Sequence, residues 1–227
     1  MKKLIFLCCL FVFRGLTPVS AMEPDATTLA ESFLEAMGGR EVWARAEWVH
    51  NWAVNHHPQA RIIYTQEAWI SLDEPRQYIK LRNFDMNRDR ALDGNRAWRL
   101  SEGKFSAQSP DEVKEWQAGL SKSIYWKLSK LARKDPRLNL AIGKEGRLEF
   151  REDGHFLGWL RLNEDGSPVM HGAEESGGAS TTFGDLVEFG PIKWVRSGEE
   201  TSGWGFEILS IRLGQGVFPV STIAPEP

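Results

Sequence analysis

The chain has 227 residues, 28 of them basic and 31 acidic, for a formal net charge of −3. That length fits one domain or a small pair, and one is the simpler reading. The acidic balance argues against nucleic acid as a partner. Ten tryptophans beside only two cysteines indicate an aromatic core or a greasy cavity rather than a disulfide framework.

Met1-Lys2-Lys3 is followed by an almost wholly apolar run from Leu4 to Phe13, then by Pro18-Val19-Ser20-Ala21. A basic start, a short apolar stretch and small residues at the cleavage position form a secretory signal, with cleavage expected after Ala21 and the periplasm as the expected location. The apolar run is about half the ~20 residues that a membrane span needs. Without residues 1–21 the 28 basic residues lose Lys2, Lys3 and Arg14, leaving 25 against 31 acidic, a net charge of −6. Cys8 and Cys9 both lie in the signal. Leu7 is not the small residue that a lipoprotein carries before its cysteine, so no lipid anchor is expected. The mature chain then has no thiol for a disulfide, a nucleophile or a metal.

Asp25 to Met37 is expected to form a first helix. Thr28-Leu29-Ala30-Glu31 is its capping box, Leu29, Phe33 and Met37 its apolar stripe, and Gly38-Gly39 its end. A short second helix follows from Arg40 to Ala46. From Trp48 the period becomes two. Trp48, His50, Trp52 and Val54 alternate with Val49, Asn51 and Ala53, and His56-His57-Pro58 breaks the strand. In the next strand Ile62, Tyr64, Ala68 and Ile70 share one face, with Thr65, Glu67 and Trp69 on the other. Ile79 and Leu81 alternate with Tyr78, Lys80 and Arg82. Asp93-Gly94-Asn95 between alternating runs is a hairpin signal.

One long helix is expected over Ser109–Asp135. Ser109-Pro110-Asp111-Glu112 is a capping box with proline at the first helical position. Val113, Trp116, Leu120, Ile124, Leu128 and Leu131 form one stripe, and Pro136 ends it. Lys127, Lys130, Arg133 and Lys134 complement the helix dipole. The β pattern then resumes, with turns at residues 143–146, 152–154 and 164–166 and a glycine-rich loop over 172–180. The last strands are expected over 183–189, 192–196 and 204–213. In the last of these Phe206 and Ile208 share one face and Leu209, Ile211 and Leu213 the other, a phase slip that predicts a bulge. The order reads as α+β: a single curved antiparallel sheet of about 11 strands, an open half-barrel, with helices covering its concave side. The domain is expected over 22–216, with 217–227 a flexible tail.

Three stretches carry a family resemblance: Met37-Gly38-Gly39 with Trp43, Ala91-Leu92-Asp93-Gly94-Asn95-Arg96-Ala97-Trp98, and Leu148 to Leu213 with Phe183-Gly184-Asp185. Their order resembles the periplasmic carriers and outer-membrane receptors of the lipoprotein-sorting pathway, the LolA/LolB-like fold. The Gly-Gly-x-x-x-Trp opening is closest to uncharacterised members. The resemblance implies an incomplete barrel enclosing an apolar cavity for acyl chains, a lipid or acylated-protein cargo, a membrane-associated partner protein, and no enzymatic activity.

Trp52, Ile62, Tyr64, Ile79, Leu81, Trp98, Trp116, Leu120 and Leu128 are the candidate lining of that cavity, chosen by periodicity. Against it stands a helix stripe that is core alone. No nucleophile elbow, phosphate loop or zinc-protease motif occurs, and no metal or cofactor is expected. His56 and His57 are adjacent in a strand and would point to opposite faces; His171 with Glu174 and Glu175 is the other candidate cluster. Arg76, Lys80, Arg82, Arg88, Arg90, Arg96 and Arg99 read either as a solvated face or as a docking surface for an anionic partner. The alternative function is a non-enzymatic sensory or partner-binding module on the same fold.

Overall fold

The computed structural model describes residues 25–222; the expected signal peptide lies outside them. Four helices, α1 (Ala26–Ala36), α2 (Arg40–Arg45), α3 (Pro110–Ser121) and α4 (Ile124–Ala132), accompany fifteen strands. The strands are β1 (Trp48–His57), β2 (Ile62–Ser71), β3 (Arg76–Asn83), β4 (Met86–Asp93), β5 (Arg96–Ser101), β6 (Lys104–Ala107), β7 (Leu138–Ile142), β8 (Leu148–Glu152), β9 (His155–Leu162), β10 (Pro168–Gly172), β11 (Ser180–Phe183), β12 (Leu186–Phe189), β13 (Ile192–Val195), β14 (Ser197–Glu200) and β15 (Gly205–Gly214). The α+β class holds.

Thirteen strands form one curved, unclosed antiparallel sheet in the order β6-β5-β4-β3-β2-β1-β15-β14-β11-β10-β9-β8-β7. The expected count of about 11 strands, all in one sheet, is corrected. Four-residue strands such as β6, β11 and β14 are too short for a periodicity reading to separate, and β12 and β13 leave the main sheet to form a hairpin of their own. The helical pair α3–α4 connects β6 to β7, the two edges. Laid flat, twelve strand gaps would set those edges ~58 Å apart, while the two helices together are ~32 Å long. Curling the sheet shortens that path and places the helices in the concavity.

The single long helix is also corrected. Its N-terminus is as expected: the Ser109 side chain accepts from the Glu112 amide and Glu112 accepts from the Ser109 amide, a full capping box. The helix stops at Ser121 because Ser123 adopts extended angles (φ −66°, ψ 150°) and caps a new helix through the Trp126 amide. The break lets α4 sink into the concavity, where Tyr125, Leu128, Leu131 and Ala132 are buried. α3 stays at the surface, with only Val113 and Leu120 buried. At the first helix the cap is Asp25, which accepts from the Thr28 amide at 2.7 Å, rather than Thr28.

The core lies between α1, α2 and α4 and the sheet, around Phe33, Leu34, Trp43, Leu128, Leu148, Phe150 and Leu160, all 0% exposed. The Gly-Gly-x-x-x-Trp stretch acts in its assembly. Gly38 has φ +111°, and a Cβ there would sit 2.8 Å from the Pro191 carbonyl oxygen, so only glycine lets the β12–β13 hairpin approach. Trp43 donates to the Met37 carbonyl at 2.9 Å and packs on Trp194 of that hairpin, whose other face stacks on Tyr125 at 4.6 Å. The expected bulge is present: Trp52 pairs with Ser210 and Ala53 with Ile208, so Leu209 is the extra residue.

Candidate functional site

Two-residue alternation fixes what the concavity sees. On β1, Val49, Asn51, Ala53 and Asn55 point toward the helices. The register carries that face across Ile70, Ala68, Gln66 and Tyr64 of β2 to Gln77, Ile79 and Leu81 of β3, then to Leu92, Arg90 and Arg88 of β4. In the other direction it passes to Phe206, Ile208 and Ile211 of β15. Small side chains at Asn51 and Ala53 leave room beneath α4.

There a cavity of about 230 Å³ opens. Ile124, Phe183, Trp194, Val195, Phe206 and Ile208 supply apolar wall, and Asn51, Asn55, Gln66, Tyr125, His171 and Thr181 supply polar groups. Asn51 donates to the Tyr125 hydroxyl at 2.6 Å. The remaining Asn51 oxygen and the Asn55 amide nitrogen are buried with no protein partner. Burial pushes the Tyr125 pKa well above the usual phenol range. The site is thus apolar-walled, with unsatisfied amide groups on its floor.

Beside it lies a buried basic pair. Lys127 is 0% exposed. Its Nζ donates to the Lys122 carbonyl at the end of α3 and lies 3.3 Å from His171 Nε2. Burial, then the charge of Lys122, lowers its pKa to about 7. Burial, then the charge of Lys127, lowers that of His171 to about 3. His171 therefore turns inward rather than joining Glu174 and Glu175; Glu175 pairs with Arg151. The expectation that the helix-end lysines serve the dipole is corrected for two of them. Lys127 is buried as described, and Lys130 is held by Asp135 at 3.2 Å and Glu152 at 2.6 Å.

The nine expected lining residues do not meet in one place. Ile62, Tyr64, Ile79 and Leu81 share the concave face, where Ile79 is buried and Ile62, near the strand end, is exposed. Trp116 faces them from α3 and donates to Gln77 at 2.5 Å. Leu120 and Leu128 are core. Trp52 and Trp98 stand on the convex face. Trp52 is exposed, and Trp98 lines a separate cleft of about 300 Å³ with Val113, Phe105 and Thr222. Thr222, within the segment read as a tail, is buried, accepts from Trp98 Nε1 at 2.8 Å and donates to Asp93 at 2.8 Å.

None of the nine lines the cavity under α4. The sequence signal for its floor is the small, polar half of the β1 alternation, Asn51, Ala53 and Asn55, opposite the tryptophan half.

Among solved structures, the chain is similar to the crystal structure of a DUF1329 family protein from Desulfovibrio piger, at 10% identity and a TM-score of 0.49, over 86% of this chain and 95% of that one. No family model and no curated protein matches it. Among the described residues no helix is long and apolar enough to cross a membrane.

Proposed function

We propose that the chain is a non-enzymatic periplasmic binding protein that takes an acyl chain of a lipid or lipoprotein into the concave side of its sheet. The observation that carries this reading is the cavity beneath α4, apolar-walled and set in an unclosed sheet. Its volume is below the ~300–1,000 Å³ of pockets that enclose whole ligands. It would therefore seat the end of a chain, the rest lying along the concave face over Leu81 and Ile79. Each buried methylene contributes ~0.8 kcal/mol. Ten would give ~8 kcal/mol gross, micromolar affinity before the costs of association. No polar recognition constellation is needed for that. The resemblance of the element order to that of the lipoprotein-sorting carriers, noted from the sequence, supports the same reading.

Native mass spectrometry of the chain purified from periplasm, followed by solvent extraction, should find an acyl-bearing adduct. Thr181→Trp, which fills the cavity, should weaken a fluorescent fatty-acid probe roughly tenfold, the equivalent of about two methylenes, while circular dichroism stays native. A clean apo mass with no probe binding would reject the carrier. A partner-binding role on the same fold is the second reading. It is favoured by the free edge strand β6, exposed along its whole length and so open to pairing with an added strand.

A further inference from the structure

Strands β4 and β5 carry three arginines on the concave face. Arg90 and Arg99 are directly opposed in the ladder, and Arg88 lies two residues from Arg90 on the same side. Like charges directly opposite each other destabilise a sheet, so this placement costs the fold stability. On the convex face of the neighbouring strand β3 the cations are paired: Arg76 with Glu74 and Asp93, Lys80 with Glu67, and Arg82 with Asp89. Among the described residues no carboxylate pairs with Arg88, Arg90 or Arg99. Glu112 feels the charge of Arg99, but its carboxylate is engaged by the amide and hydroxyl of Ser109.

Arg90 is the centre of the group. It is partly buried, and its Nε has no hydrogen-bond partner. Its guanidinium lies 5.3 Å from the centre of the Trp116 ring, and Trp116 is itself fixed by the hydrogen bond to Gln77. A flat guanidinium held against an indole keeps its N–H fork free for an oxyanion. Burial, then the charge of Arg99, lowers its pKa, and Tyr64 interacts with it electrostatically. From Arg90 the same face runs to Ile79 and then to Ala68, two strand spacings or ~10 Å away. Ala68 stands two residues from Gln66, which lines the cavity.

We propose that Arg88, Arg90 and Arg99 bind the anionic head group, a carboxylate or phosphate monoester, of an amphiphile whose tail runs over Ile79 into the cavity under α4. This inference rests on the acyl-binding reading and narrows its ligand to anionic lipids.

The test is calorimetric titration of the purified chain and of its Arg90→Gln and Arg99→Gln variants with dodecanoate, dodecyl phosphate, dodecanol and inorganic phosphate. Both anionic amphiphiles should bind more tightly than dodecanol. Each variant should weaken them roughly ten- to a hundredfold, as expected for loss of a charge-assisted hydrogen bond, and leave dodecanol unchanged. Equal binding of all three amphiphiles, indifferent to both substitutions, overturns the head-group site and leaves the acyl cavity standing. An equal loss for dodecanol and dodecanoate also overturns it, because Arg90 and Arg99 would then act through packing. Inorganic phosphate binding as tightly as dodecyl phosphate, and weakened by both variants, keeps the arginine site but removes the acyl chain from its ligand. No binding by any probe rejects both.

Discussion

The two faces of β1–β5 use the same kinds of residue to opposite ends. On the convex face His50, Trp69, Tyr78 and Trp98 form a row across the strands, with ring separations of 4.7, 5.9 and 6.0 Å. Ala91 lies between Tyr78 and Trp98 in the ladder and gives the larger rings room to meet. Lys80 lies over Trp69, and Asp89 is shared between Arg82 and the Tyr78 hydroxyl. On the concave side Arg90, Lys127 and the amides of Asn51 and Asn55 are withdrawn from water without complete partners. Buried polar groups are normally satisfied, and the exceptions ask for a reason. The convex row is packed ring on ring and ion-paired, although Trp48 Nε1 and His56 Nδ1 on the same face also lack partners. The face built from smaller and charged residues is the one proposed above to bind.

If that division is right, the convex row should carry the largest stability effect. Trp98→Ala removes a ring that is 7% exposed, its two aromatic neighbours and the hydrogen bond to Thr222. It should cost about 3–5 kcal/mol in urea unfolding, with probe affinity in the folded fraction unchanged. A loss under about 1 kcal/mol would mean that the row is only a surface decoration.

Next in size is a pH effect on the concave side. Lys127 titrates near 7 in the folded state and ~10.4 in an unfolded chain. Between those values the unfolded state holds more protons, so stability rises with pH by up to ~1.4 kcal/mol per unit. At pH 7 and below, the full cost of burying the ammonium is present. Lys127→Met should abolish the rise between about pH 7 and 10. His171 acts with the same sign in a separate window, losing stability as pH falls from ~6.5 toward about 3, so the two contributions can be told apart. An unchanged slope in Lys127→Met would show that its ammonium is hydrated in solution.

Much of this architecture was legible in the chain. The capping box at Ser109, the alternation through β1–β5 and the phase slip at Leu209 each left a local signature, because caps, pleats and bulges are made by residues close in sequence. The break at Ser123 was not legible, since the apolar stripe runs through it without losing phase. Only the depth of the concavity makes two helices better than one. Which half of the β1 alternation faces inward was equally hidden. Tryptophan looks like core by composition, yet Trp52 is 45% exposed, because α4 approaches closely only over small residues. The role of Lys127 depends on His171, 44 positions away, a separation that no local pattern spans.

The smallest expected effect is the sharpest on the arginines. Arg82→Met breaks the pair with Asp89, a carboxylate only 16% exposed, and leaves it to Tyr78 alone. Because Arg82 is itself 38% exposed, screening limits the cost to about 1 kcal/mol. Arg90→Met removes a charge with no carboxylate partner and keeps much of the packing on Trp116. The lost cation–π attraction and the relieved desolvation offset each other, so stability should stay within about 0.5 kcal/mol of the parent. A structural arginine would behave like Arg82 at both positions. If Arg90→Met costs as much as Arg82→Met, Arg90 is part of the scaffold and the two faces do not differ in kind. If it costs nothing while dodecanoate affinity falls, the charge is kept on the concave face for a ligand.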